Sequence, residues 1–71
     1  MNPQNPVVIE NGVEIPLSER MPLNAYLESR GYLVGSVVVE LNGEATAPSD
    51  FSNQWVEVGA RLEIVRVVAG G

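Results

Sequence analysis

Apolar and polar residues alternate along two stretches of the chain, and the same dipeptide interrupts both. In "VVIENGVEIPL", Val7, Ile9, Val13, Ile15 and Leu17 take alternate positions around Asn11-Gly12; in "SVVVELNGEATA", Val37, Val39 and Leu41 alternate before Asn42-Gly43. A period of two belongs to a strand with one buried face. Asn-Gly supplies the positive φ values of a type I′ turn, so each stretch predicts a β-hairpin. Between them the period lengthens: Leu23, Tyr26, Leu27 and Arg30 recur at helical spacing, Pro22 suits a first turn and Gly31 a stop. This predicts one short helix, entered from Ser18 or Met21.

The remaining segments complete the pattern. "PSDFSNQWVEVG" reads as a 3₁₀-like connector anchored by two buried rings, Phe51 and Trp55, with Asp50 capping a turn. In "RLEIVRV", Leu62 and Ile64 face one way and Arg61, Glu63 and Val65 the other. The order strand, strand, helix, strand, strand, strand predicts an α+β fold: one helix across a mixed sheet of four to five strands. The last strand belongs at the centre, because Leu62, Ile64 and the nearby Val65, Val67 and Val68 are too apolar for an unprotected edge.

With 71 residues, 45% of them apolar and 18% charged, the chain is expected to form a single globular domain over 1–71, its tail flexible from about residue 69. No run approaches the roughly 18 apolar residues of a membrane span, and "MNPQNP" lacks the marks of a signal sequence, so a cytoplasmic location and no membrane partner are expected. Nine acidic residues against four arginines give a net charge of -5, which disfavours nucleic acid binding. The acidic surface suits a free monomer.

Without Cys, His or Lys the chain lacks a thiolate, an imidazole base and a Schiff-base amine. Ser18, Ser29, Ser36, Ser49 and Ser52 have no histidine to activate them. Glu10 and Glu14 read as a solvated hairpin face rather than an acid/base pair, and Glu40, Glu44 and Glu57 show no calcium-loop spacing. No catalytic side chain, metal or cofactor is expected.

What stays distinctive is the end, "RLEIVRVVAGG". Together with "VVVELNGEATAP" and the glycine before the last strand, it resembles the ubiquitin-like β-grasp family, and within it the Gly-Gly sulfur carriers of thiamin biosynthesis, the ThiS family. That resemblance implies a protein co-substrate, not an enzyme. The carboxylate of Gly71, presented by Gly70, would be adenylated by an E1-like enzyme, converted to a thiocarboxylate with sulfur from a donor such as a cysteine desulfurase, and used by thiazole synthase. Val38, Val65 and Val67 are expected to form an apolar docking patch, with Arg66 pairing with a partner's carboxylate at the base of the tail.

Two other functions fit the same residues. A molybdopterin synthase small subunit shares the tail chemistry, but such proteins usually carry a lead such as "PPV" where this chain has "VRVVAGG". A ubiquitin-like modifier or a β-grasp interaction module is the other, although a chain without Lys cannot build lysine-linked polymers. Adduct ladders in an extract would mark a modifier, a small mass gain a carrier, and no change a module.

Overall fold

Both Asn-Gly pairs adopt the left-handed backbone that a two-residue hairpin requires: φ is 51° and 83° at Asn11 and Gly12, and 52° and 87° at Asn42 and Gly43. The computed structural model describes residues 5–68. In chain order these form β1 (Val7–Glu10), β2 (Val13–Pro16), β3 (Met21–Pro22), α1 (Leu23–Ser29), β4 (Val37–Leu41), β5 (Glu44–Thr46), β6 (Trp55–Val56) and β7 (Arg61–Arg66), with 3₁₀ turns at Val34–Ser36 and Pro48–Asn53.

The main sheet runs β2-β1-β7-β4-β5, so the last strand is central as its composition requires. It lies parallel to β1 and antiparallel to β4. The two hairpins therefore flank β7, and each grips it through its turn. Glu10 and Leu41, the residues just before each Asn-Gly, both pair with Leu62 from opposite sides. Asn42 Oδ1 accepts the Arg61 N–H at 2.9 Å. Asn11 accepts the Ile64 N–H at 2.7 Å and donates back to the Ile64 carbonyl at 3.0 Å, continuing the ladder with a side chain where β1 has already turned away.

One face of the sheet is covered by α1, whose Leu23, Tyr26 and Leu27 join Val8, Val39, Leu62, Ile64, Phe51 and Val56 in a single core. This is the β-grasp arrangement of one helix against a mixed sheet. The helix begins after Pro22, not after Ser18 or Met21, because Met21–Pro22 pairs with Trp55–Val56 in a small second sheet that the sequence pattern did not reveal. It stops as expected at Gly31, at φ 84°. The Gly31 N–H reaches the Glu28 carbonyl and the Tyr32 N–H the Leu27 carbonyl, at 3.0 and 2.9 Å, a Schellman closure that anchors the Tyr32 backbone.

Three sequence expectations are corrected. In β1 the buried residues are Val8 and Glu10, while Val7 and Ile9 are half-buried on the other face. A two-residue turn pairs odd positions with even ones (Val8 with Ile15, Ile9 with Glu14), so Val7 and Ile9 cannot share a face with Val13 and Ile15. Trp55 is 44% exposed rather than buried; the Arg20 guanidinium stacks 4.3 Å from its ring, and Phe51 alone anchors the connector. Asp50 is exposed, and no side chain caps its 3₁₀ turn, which is closed by backbone hydrogen bonds.

Candidate functional site

The end of β7 brings the expected docking residues together in part. Val38 and Val65 sit directly opposite each other on β4 and β7, 52% and 62% exposed on the sheet face away from α1. The Val67 N–H still bonds the Ser36 carbonyl at 2.8 Å, which carries the ladder one step past β7 and keeps this exposed valine on the side of Val65. Two residues back on the same face, Glu40 pairs with Glu63, so the apolar ridge gives way to two like charges. Such a pair costs rather than adds stability. Gly70 and Gly71 lie outside the described residues.

Arg66 belongs to the other face. Alternation along β7 puts it with Leu62 and Ile64, and its guanidinium carbon lies 4.6 Å from the centroid of the Tyr32 ring. The expected docking set is thus divided: three valines on the open face and one arginine at the opposite edge of the same strand end.

Beneath that arginine is the site that sequence reasoning missed. Glu10, taken for a solvated residue, is only 6% exposed. Its Oε1 accepts the Tyr26 hydroxyl at 2.7 Å and Arg30 Nε at 2.8 Å, and its Oε2 accepts the Tyr32 hydroxyl at 2.7 Å. Burial pushes the carboxyl's pKa up, but the bonds from Arg30, Tyr26 and Tyr32 and the charge of Arg30 outweigh it, so Glu10 stays ionised below the usual carboxylate range. The hydrogen bond that Tyr32 donates to Glu10, and to a lesser extent burial, raises the pKa of the Tyr32 phenol. Each ring therefore remains a neutral donor. One signal was present in the sequence: Glu10 holds the place before Asn-Gly that Leu41 holds in the second hairpin, a core position, and Tyr26 and Arg30 are one helical turn apart.

All three donors favour the ionised carboxylate of Glu10. Among the described residues, no three acidic side chains converge on a point that could hold a metal ion. No helix among them is long and apolar enough to cross a membrane.

No family model matches the chain, and no curated protein matches it either. Solved structures do. The crystal structure of the thiamine biosynthesis protein ThiS from Geobacter metallireducens is similar at 25% identity and a TM-score of 0.77, covering 92% of this chain and 99% of that one. The solution structure of a thiamine biosynthesis protein from the same organism gives 25% identity and a TM-score of 0.73 over 92% and 87% of the two chains. The fold is ThiS-like along nearly its whole length.

Proposed function

We propose that this chain is a sulfur carrier protein of thiamin biosynthesis, a cytoplasmic monomer when free and a co-substrate rather than a catalyst. The observation that carries this reading is the ThiS-like fold whose central strand, β7, is followed in the sequence by Val67-Val68-Ala69 and then Gly70-Gly71. A carboxylate is a poor electrophile until it is made into a mixed anhydride. An E1-like enzyme would supply that step: the Gly71 carboxylate attacks the α-phosphorus of ATP and pyrophosphate leaves. The outer sulfur of a donor persulfide, such as that of a cysteine desulfurase, then attacks the acyl adenylate and expels AMP, and a thiol reduces the resulting acyl disulfide, leaving the Gly71 thiocarboxylate and a disulfide. Thiazole synthase would take the sulfur from the thiocarboxylate. Glycine suits the path because no Cβ obstructs a narrow channel and successive partners can demand different backbone conformations.

Docking falls to the folded surface. Val38, Val65 and Val67 offer an apolar ridge beside the strand end, of the kind that marks interaction surfaces on small proteins. Arg66 provides a cation at the base of the tail. Incubation with ATP, an E1-like enzyme and a sulfur donor, followed by intact-mass analysis, tests the proposal. Deleting Gly71, or adding one residue after it, should abolish activation and leave the melting temperature unchanged. Activation of the extended variant would overturn the assignment. Mixing the thiocarboxylate with thiazole synthase and, separately, with a molybdopterin synthase large subunit identifies the acceptor.

A further inference from the structure

Arg66 differs from the other arginines in how it is held. Arg30 is committed to Glu10, and Arg20 bridges the Trp55 ring and Glu57. Arg61 is exposed and stacks on no ring among the described residues. The Arg66 guanidinium lies against Tyr32, yet among the described residues its N–H groups donate to nothing. Tyr32 in turn is fixed at both ends: its N–H closes the helix at Leu27, and its hydroxyl is bound by Glu10, itself held by Tyr26 and Arg30. The result is an oriented cation, its donors without a partner among the described residues, at the end of the strand that leads to the tail.

We propose that Tyr32 and Glu10 are positioning residues that hold Arg66 as a preorganised receptor for a carboxylate side chain on the partner that takes the tail. This rests on the carrier reading. A planar guanidinium stacked on a ring has its rotamer set before binding, and its fork matches a carboxylate with two parallel hydrogen bonds. A partner side chain fits better than the nucleotide. Threading Gly71 into an active site requires an extended tail, and five extended residues span about 17 Å, which leaves Arg66 at the rim of the channel and away from the phosphates. Lining the rim with carboxylates would also favour this edge of a chain whose net charge is -5.

The test is steady-state adenylation by the E1-like enzyme at several salt concentrations. Arg66→Ala should raise KM for this protein about tenfold with kcat nearly unchanged, and should flatten the rise of KM with salt. Tyr32→Leu should reproduce both effects, and adding it to Arg66→Ala should cost nothing more. Tyr32→Phe, which keeps the ring but loses the hydrogen bond to Glu10, should raise KM by a smaller factor than Tyr32→Leu, and a wild-type KM in it would remove Glu10 from the proposal. Circular dichroism and melting confirm that each variant is folded at the assay temperature. If Tyr32→Leu destabilises the fold too far, the Phe variant and the salt dependence of Arg66→Ala still decide. A folded Tyr32→Leu with wild-type KM, additive losses in the double variant, or an unaltered salt dependence in Arg66→Ala would overturn the inference and leave the carrier reading standing. A wild-type chain that is never adenylated would sink both.

Discussion

The two hairpins use one device for two purposes. Each turns on Asn-Gly, each lies against β7, and each buries the residue before the turn beside Leu62. In the second hairpin that residue is Leu41, 7% exposed and part of the core. In the first it is Glu10, no less buried, and its charge collects two tyrosines and an arginine. The same backbone geometry thus yields an ordinary core contact on one side of the central strand and a polar cluster on the other. Position decides burial; the side chain decides what the buried site is for.

Replacing Glu10 with leucine, which makes the first hairpin imitate the second, should have the largest effect. The buried Tyr26 hydroxyl would lose its acceptor and Arg30 its partner, costing about 3 kcal/mol, or roughly 15 °C in melting temperature for a domain of this size. A variant as stable as wild type would show that the cluster is dispensable for folding. Asn11→Ala removes two hydrogen bonds to β7 and Asn42→Ala only one from a side chain, so their costs should be about 2 and about 1 kcal/mol in urea melts. Equal losses would mean that the turn conformation, and not the grip on β7, dominates.

Acid should separate the hairpins as well. Glu10 titrates below its ordinary value in the folded chain, so the unfolded chain takes up the proton first as pH falls through about 4.3. The stability from this group is complete above that pH and is lost as pH drops towards the folded value. Melting curves from about pH 5 down to about pH 3 should therefore fall more steeply for wild type than for Glu10→Gln; parallel curves would contradict the assignment. The smallest effects on stability belong to the open face: Val38→Asp and Val65→Asp should change unfolding free energy by less than about 0.5 kcal/mol while weakening docking to the activating enzyme. A Val65→Asp variant that unfolds would place that valine in the core.

Much of this was legible in the sequence. Asn-Gly with flanking alternation located both hairpins, Gly31 located the helix stop, and the apolar run from Leu62 placed the last strand at the centre. The face of β1 was misread because alternation was carried straight across a turn that exchanges odd and even positions, and this hid Glu10. Trp55 was misread because a large ring suggests burial, whereas here the cation of Arg20 lies over its exposed face. The stacking of Arg66 on Tyr32 joins residues 34 positions apart. Spacing along a chain carries no sign of such a contact.

The central claim is that the terminal carboxyl of Gly71, set on a ThiS-like fold, is the working group. Intact-mass analysis of the protein purified from its native host tests it most directly. Replacement of one oxygen by sulfur, localised by fragmentation to Gly71, is the predicted result. A chain that extends past Gly71, or whose terminus remains an ordinary carboxylate after ATP, activating enzyme and sulfur donor are supplied, would contradict it.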